Sequence, residues 1–459
     1  MDPLFFPRDD FALGKMRVET TVGSREVIYR LYSHLPYVAS PVDRDYQSLD
    51  VRVPVEVDGS AVDVANAPIL LANSVGGYLS VNNVQGNLVG SRGEGTVGGR
   101  HTELALAAGY VVVWPGCRGR DNRSADGTYF GKAPAGIVDL KAAVRYLRHN
   151  RDVMPGDVER IVSTGCSAGG ALSALLGASG NSPLYEHYLD EIGAAREEDA
   201  VFAAGCFSPI VDLEHADMAY EWMSGKVPNN RSGELVDQQL SAELKALFVD
   251  YQASLGLQGR GGFGALTADN YGDYLLRYYL VPSASDYLGA LSSADRNAYL
   301  AQNAWIEWDG KRAHFAFADY QLHGGRFKLV PAFDDFDMAL AEPSLFGNET
   351  TEARHFTEFS LRKTTGNDKA EVDPEVKALT HLMNPMYFTM RDNPGCAEHW
   401  WLRRGTGESG ISMTAMVNLA VSLENHGKRV DARMFWDAKH CIDQDAEGFI
   451  TWMGEITAP

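Results

Sequence analysis

Short, almost continuously apolar runs alternate with helix-length stretches between residues 67 and 211 of the chain. An apolar run of this length, bounded by turn residues, is typical of a strand that is buried on both faces. The predicted strands lie at 67–73, 110–115, 158–164 and 200–209, and helices are predicted at 102–109, at 137–149 and directly after residue 167. This alternation predicts an α/β fold with a mostly parallel central sheet.

The pattern changes between residues 212 and 394, where the sequence is more polar and apolar residues recur at helical spacing. Long helical stretches are predicted here at 234–255 and 266–280, without a clear alternation with strands. Strand, helix and strand signals return at 399–404, 413–425 and 430–436. At 459 residues the chain is too long for one simple core. We therefore predict a core formed by 1–211 and 395–459, interrupted by a large, mainly helical inserted lid domain at 212–394.

The motif Gly165-Cys-Ser-Ala-Gly169 lies where a predicted strand runs into a helix of small residues. In such a strand-to-helix turn the serine adopts a strained backbone conformation, and the flanking glycines remove side chains that would clash. The hydroxyl is then exposed at the edge of the sheet. The alternative is that Ser167 only caps the helix. The surrounding alternation favours a nucleophile elbow, and therefore a serine hydrolase of the α/β-hydrolase fold.

Glu408 and His440 follow the last two predicted strands of the core. In hydrolases with this elbow, an acid and then a histidine come after the serine in chain order. Of the twelve histidines, His440 combines a late position with a final strand before it. It can take the Ser167 proton as general base while a carboxylate orients its ring. We predict the triad Ser167, His440 and Glu408, with Asp431 or Asp437 as substitutes for the acid.

A negatively charged oxygen develops when a serine attacks an ester, and two backbone N–H groups are expected to stabilise it. The N–H of Ala168, directly after the nucleophile, is one candidate. The other lies in the glycine-rich turn after the strand at 67–73, where Val75, Gly76 or Gly77 can supply it. An ordinary flexible turn is the alternative.

Cys166 precedes the candidate nucleophile and Cys441 follows the candidate base. If Ser167 and His440 approach within hydrogen-bond distance, the two neighbouring sulfurs come close enough for a disulfide. We predict a Cys166–Cys441 bridge, and two small buried free cysteines are the alternative. The five cysteines show no CxxC spacing, so no metal site is predicted.

The formal net charge of -20 opposes binding to nucleic acid or to an anionic membrane. No apolar run approaches membrane-spanning length, and the first residues lack the basic and then apolar pattern of a signal peptide. We expect a cytoplasmic protein by default, or a secreted or periplasmic one if a leader has been removed. The predicted disulfide favours an oxidising compartment. The sequence leaves the oligomeric state open.

The chain resembles the bacterial tannases, α/β-hydrolases that cleave galloyl esters, in several segments that occur in one order. These segments are Gly165-Cys-Ser-Ala-Gly-Gly, Lys328-Leu-Val-Pro-Ala-Phe-Asp, Leu345-Phe-Gly, His355-Phe-Thr-Glu, Arg404-Gly-Thr and the terminal His440. The Cys-Ser and His-Cys pairs are similar to a different branch, the fungal tannases and feruloyl esterases, in which a disulfide joins the two cysteines.

This resemblance implies that Lys328 and Glu342 hold the phenolic hydroxyls of an aromatic acyl group. The bacterial family carries an aspartate as triad acid and, two residues later, a second aspartate that binds a ring hydroxyl. The matching positions here are Glu408 and Gly410. The triad role tolerates the exchange to Glu, whereas Gly410 lacks a hydroxyl acceptor.

The expected activity is therefore hydrolysis of galloyl or feruloyl (hydroxycinnamoyl) esters through an acyl-enzyme on Ser167. The expected partner is a small-molecule phenolic ester, and no cofactor is expected. Two alternatives stay open. The same elbow and triad order serve serine peptidases and acyl-aminoacyl hydrolases, and a catalytically silent α/β-hydrolase fold can serve as a binding protein.

Overall fold

A computed structural model describes residues 3–82, 97–441 and 444–458. Its strands are β1 (Ala12–Thr20), β2 (Gly23–Pro36), β3 (Ser48–Val57), β4 (Ser60–Ala61), β5 (Pro68–Ala72), β6 (Val111–Pro115), β7 (Asp157–Cys166), β8 (Ala203–Phe207), β9 (Gln258–Gly259), β10 (Gly264–Ala265), β11 (Glu307–Trp308), β12 (Ala313–His314), β13 (His399–Gly405) and β14 (Arg429–Phe435). Ten of these strands form the central sheet.

The central sheet has the strand order β1–β2–β3–β6–β5–β7–β8–β13–β14, with β4 paired to β3. The strands from β6 to β14 in this order pair in parallel, and β1, β2, β3 and β4 form an antiparallel extension that joins them at β6. The predicted α/β fold with a mostly parallel central sheet is confirmed.

The helices are α1 (Val97–Ala107), α2 (Ala135–His149), α3 (Ala168–Ala178), α4 (Glu186–Glu191), α5 (Leu213–Ser224), α6 (Gln238–Ser254), α7 (Tyr271–Leu275), α8 (Val281–Ala290), α9 (Ser293–Gln302), α10 (Phe317–Gly324), α11 (Ala341–Leu345), α12 (Glu358–Thr365), α13 (Pro374–Leu382), α14 (Pro385–Thr389), α15 (Met413–Asn425) and α16 (Ala446–Ile456). A π-helical turn at Leu276–Leu280 joins α7 to α8. Among the described residues, none of the helices combines the length and the apolar composition needed to cross a membrane.

Helices cover both faces of the parallel strands, which explains why these strands are apolar at nearly every position. In β5, Ile69 and Leu71 join a large cluster that includes α2, α3 and α15. Leu70 faces the other way, into a cluster with α1 and α16. The same alternation places Trp400 in the first cluster and Trp401 in the second.

The segment between β8 and β13 contains helices α5 to α14 and two hairpins of two-residue strands. Of the stretch predicted as one helix at 266–280, only 271–280 is helical, as α7 followed by the π-helical turn. The short ladders β9–β10 and β11–β12 were not predicted, because two-residue strands leave no periodicity to detect. The boundaries of the lid domain at residues 212 and 394 stay a prediction.

The antiparallel extension at the start of the chain also has no counterpart in the sequence analysis. In β1 only one of nine residues is buried, and charged residues alternate with partly exposed apolar ones. Such an edge strand lacks the continuous apolar run by which the central strands are recognised.

Parallel strands bring their carboxyl ends to one edge of the sheet, and β7, β8, β13 and β14 all end there. The turn from β7 into α3 is closely packed against the segment after β5. A Cβ atom at Gly169 would lie 2.5 Å from Oδ1 of Asn73 and 2.7 Å from the carbonyl oxygen of Val75. The glycine therefore permits a backbone approach that a side chain would prevent.

We expect Gly169→Ala to lower the free energy of unfolding by roughly 1–3 kcal/mol, because overpacking this contact displaces backbone. Gly289→Ala is the matched control, since a Cβ atom there meets nothing within 4 Å. Chemical denaturation of both variants measures the difference. Equal stabilities for the two variants would contradict the packing argument.

Candidate active site

Ser167 occupies the turn between β7 and α3 in a backbone conformation that is rare for a residue with a side chain. Its φ is 60° and its ψ is -123°, and its side chain makes no capping hydrogen bond to α3. The backbone is held instead: its N–H donates to the Phe207 carbonyl at 3.0 Å, and its carbonyl accepts from the Ala171 N–H at 2.9 Å. Strain that the surrounding structure maintains is typical of a functional position. The alternative that Ser167 only caps α3 is therefore wrong, because its side chain makes no capping hydrogen bond.

A disulfide joins Cys166 to Cys441, as predicted, across 275 residues of chain with 5.8 Å between the two Cα atoms. A ring nitrogen of His440 lies within 4.8 Å of both sulfurs. The cross-link therefore brings the His440 ring to the elbow that carries Ser167. Both sulfurs are bonded to each other, so this group of side chains lacks the thiolates that a metal ion would bind.

Nδ1 of His440 lies 2.5 Å from Oε1 of Glu408. The imidazole is 44% exposed, whereas the Glu408 side chain is only 2% exposed. Burial by itself would raise the pKa of Glu408, but the Arg404 guanidinium, 3.8 Å from Oε2, and the hydrogen bond to His440 together hold this pKa below its ordinary value. Glu408 is thus a buried carboxylate that can orient the imidazole and stabilise its protonated form.

The two substitutes considered for the acid are engaged elsewhere. Asp431 accepts from Arg403 at 3.0 Å and from Arg433 at 3.1 Å. Asp437, three residues before His440, accepts from His323 at 2.7 Å and from Tyr299 at 2.5 Å. These contacts of Asp437 with Tyr299 and His323 could not be predicted from the sequence, because contacts across 138 and 114 residues leave no signal in local spacing.

The candidate oxyanion donors lie in the two segments that meet at the elbow. Ala168 is the first residue of α3, where a helix leaves its N–H groups without intrahelical partners. The amide nitrogen of the Asn73 side chain donates to the Gly169 carbonyl at 3.0 Å and to Ser173 at 2.9 Å, which fixes the segment after β5 over the start of α3. Gly76 and Gly77 follow in this segment, and the positive φ of 55° at Gly77 favours glycine.

Lys328 and Glu342 lie in the segment between β8 and β13 and influence each other's charge. The ammonium of Lys328 stands 3.4 Å from the ring centroid of Phe333. Burial lowers the pKa of Lys328, and Glu342 opposes this shift. Burial raises the pKa of Glu342, and Lys328 opposes it. No hydrogen bond or ion pair within 4 Å joins the two side chains in the described parts of the chain, so their mutual influence is a longer-range electrostatic one.

Comparison with known proteins places the chain among ester hydrolases. A family profile described as BD-FAE matches residues 97–248. The tannase of Fusobacterium nucleatum is 34% identical, with a TM-score of 0.83 and 99% of each chain covered. A tannin acyl hydrolase solved in complex with ethyl gallate is 33% identical, with a TM-score of 0.85 and again 99% of each chain covered. Esterase LipC of Mycobacterium tuberculosis is 46% identical over 68 residues, which span 15% of this chain and only 17% of LipC.

The fold and these relatives define a carboxylic ester hydrolase of the α/β-hydrolase class. Because the likeness to the tannases extends over 99% of both chains at 33–34% identity, the chain belongs to the tannase family.

We expect three free thiols in the denatured, unreduced protein, because only Cys117, Cys206 and Cys396 are unpaired. Reduction should raise the count to five, the number of cysteines in the sequence. Thiol titration with a chromogenic disulfide reagent measures both values. A count of five before reduction would exclude the bridge.

Proposed function

We propose that the protein is a serine esterase that cleaves esters of hydroxylated aromatic acids, galloyl or feruloyl (hydroxycinnamoyl), through an acyl-enzyme on Ser167. The proposed catalytic residues are Ser167 as nucleophile, His440 as general base and acid, and Glu408 as the group that orients the imidazole. The backbone N–H of Ala168 and one from the Val75–Gly77 turn are the proposed oxyanion donors. The observation that carries the proposal is the Glu408–His440 pair, linked by a disulfide to the strained turn of Ser167.

The reaction has two steps. With Nδ1 of His440 facing Glu408, Nε2 is the nitrogen that accepts the Ser167 proton as Oγ attacks the ester carbonyl. The tetrahedral intermediate collapses, the C–O bond to the alcohol breaks, and His440 gives its proton to the leaving oxygen. In the second step a water molecule loses a proton to His440 and attacks the acyl-enzyme. The aromatic acid is released and Ser167 regains its proton.

Lys328 and Glu342 support the choice of a phenolic acyl group. The Lys328 ammonium, which has no hydrogen-bond acceptor among the described residues, can donate to one ring hydroxyl, and the buried Glu342 carboxylate can accept from an adjacent one, while Phe333 lies beside the ammonium. The full-length relative bound to ethyl gallate supports the same substrate class. At Gly410 a Cβ atom would meet nothing within 4 Å. Because this position supplies no acceptor for a further ring hydroxyl, the proposed substrates include esters whose ring has fewer hydroxyls, such as feruloyl esters.

Ser167→Ala should abolish hydrolysis of methyl gallate and methyl ferulate and remove labelling by a fluorophosphonate probe. His440→Ala should lower kcat by several orders of magnitude, because the hydroxyl is then not deprotonated during attack. The wild-type enzyme is assayed in parallel on an aminoacyl nitroanilide. Labelling that persists in Ser167→Ala would contradict the proposed nucleophile, and a preference for the anilide would favour a peptidase.

Glu408→Gln should lower kcat by roughly 10²–10⁴-fold with little change in KM, because an amide neither stabilises the imidazolium nor fixes the same tautomer. Asp431→Asn is the matched control, since it also neutralises a carboxylate, but one within β14 that pairs with Arg403 and Arg433 instead of His440, and it should leave kcat nearly unchanged. Steady-state kinetics on methyl gallate distinguish the two. Similar losses in both variants would argue against Glu408 as the triad acid.

Lys328→Ala should lower kcat/KM for methyl gallate by roughly tenfold or more, but leave methyl benzoate nearly unchanged, since only the first substrate loses hydrogen bonds to the ring. Lys226→Ala, which removes an exposed lysine after α5, is the control. The ratio of the two kcat/KM values is the measurement. Equal losses on both esters would dismiss the contact between Lys328 and the ring hydroxyls.

A further inference from the structure

One buried phenol connects the segment that carries Lys328 to the loop that carries Glu408. Tyr220 lies on α5 and is only 1% exposed. Its hydroxyl oxygen accepts hydrogen bonds from the backbone N–H groups of Phe327 and Lys328, each at 3.1 Å. The same hydroxyl donates to the carbonyl oxygen of Ser409 at 2.6 Å. Three contacts therefore converge on one oxygen atom.

The chemistry of the phenol fits this role. Burial raises the pKa of Tyr220, although the two amide donors oppose the shift, so the hydroxyl keeps its proton and can donate to Ser409. A buried hydroxyl that donates one bond and accepts two has no remaining capacity. Tyr220 is therefore not available to substrate, and it acts on the site only through the residues that it holds.

The Lys328 segment has a second support directly beside Tyr220. Arg326 and Glu221 are both fully buried and form a bidentate ion pair. The remaining N–H groups of Arg326 donate to the carbonyl oxygens of Lys328 at 2.8 Å, Leu329 at 2.9 Å and Ser224 at 3.3 Å. The backbone of Lys328 is thus held at its N–H by Tyr220 and at its carbonyl by Arg326.

The same helix also positions the ring next to the ammonium. Asp217, three residues before Tyr220 on α5, accepts the Phe333 N–H at 2.7 Å. Residues three apart lie on one face of a helix. A single face of α5 therefore fixes both Lys328 and Phe333, which contact each other through the ammonium and the aromatic ring.

We propose that Tyr220 is a positioning residue for recognition of the aromatic acid: its hydroxyl holds the Lys328 backbone at a fixed distance from the loop of the triad acid. This inference rests on the proposed function, because it concerns the contact between Lys328 and the ring hydroxyls. Ser409 lies between Glu408 and Gly410, so the hydrogen bond to its carbonyl fixes the position of Lys328 relative to the loop that carries the proposed triad acid.

Tyr220→Phe deletes the one oxygen and tests the proposal. Relative to wild type, kcat/KM for methyl gallate should fall about 3–10-fold more than for methyl benzoate, mainly through KM, because an untethered Lys328 binds the ring hydroxyls less well. Tyr320→Phe is the matched control: Tyr320 is another buried tyrosine whose hydroxyl donates at 2.6 Å to the same loop, at the Thr406 carbonyl, without contact to the Lys328 backbone. Tyr320→Phe should leave the ratio of the kcat/KM values for the two esters unchanged.

Combining Tyr220→Phe with Lys328→Ala separates this proposal from the proposed function. If Tyr220 acts through Lys328, the double variant has the same substrate ratio as Lys328→Ala alone. If Lys328→Ala lowers the ratio of kcat/KM for methyl gallate to kcat/KM for methyl benzoate, but Tyr220→Phe leaves this ratio at the wild-type value, only the role of Tyr220 is overturned. If Lys328→Ala itself leaves this ratio at the wild-type value, the contact between Lys328 and the ring hydroxyls in the proposed function is overturned. Equal losses on both esters in Tyr220→Phe would show a merely structural role and overturn the inference.

Hydrogen exchange in the wild-type protein gives a second test that does not depend on how well the variant folds. The N–H groups of Phe327 and Lys328 should be protected from exchange, although they lie outside helices and strands, because each donates to a buried oxygen. Exchange as fast as in an open loop would overturn the proposal.

Discussion

One covalent bond at the edge of the central sheet holds the candidate active site together. The Cys166–Cys441 disulfide ties the end of β7 to the loop after β14, and these two segments carry Ser167 and His440. Parallel pairing already brings the strand ends to the same edge, but β7 and β14 are separated by β8 and β13 in the sheet. The cross-link spans this gap. A disulfide in a long loop restricts the unfolded chain more than a short one does, so the same bond also supports the stability of the fold.

The polar side chains around this disulfide differ in how deeply they are buried. Glu408 is enclosed and held ionised by Arg404, whereas the His440 ring is partly exposed to solvent. The segment between β8 and β13 contributes charged groups that are also largely buried. A buried ion pair such as Glu221–Arg326 contributes less to stability than its Coulomb energy implies, because both charges lose hydration. Its more evident effect here is geometric, since the guanidinium uses its fixed donors to define the backbone path of Lys328.

The features that sequence reasoning predicted are those encoded in local patterns. The elbow glycines, the apolar central strands and the order of Ser167, Glu408 and His440 all follow from short stretches of sequence, and the disulfide follows from the positions of two cysteines beside them. Lys328 and Glu342 were suggested only by family resemblance, because an isolated lysine and glutamate are usually a solvated pair. The hydrogen bonds of Tyr220 and His323 could not be predicted, since their partners lie 107 or more residues away in the chain. Which residues meet there depends on how the helices after β8 pack. The roles assigned to the site residues stay predictions, whereas the fold class and the tannase family are confirmed.

The most direct test of the central claim is a crystal structure of the Ser167→Ala variant with methyl gallate bound. We expect the ester carbonyl to lie over residue 167 with its oxygen directed toward the Ala168 N–H, and the ring hydroxyls to contact Lys328 and Glu342. A ligand whose ester group lies away from His440, with its ring outside the Lys328 and Glu342 contacts, would contradict the proposed active site.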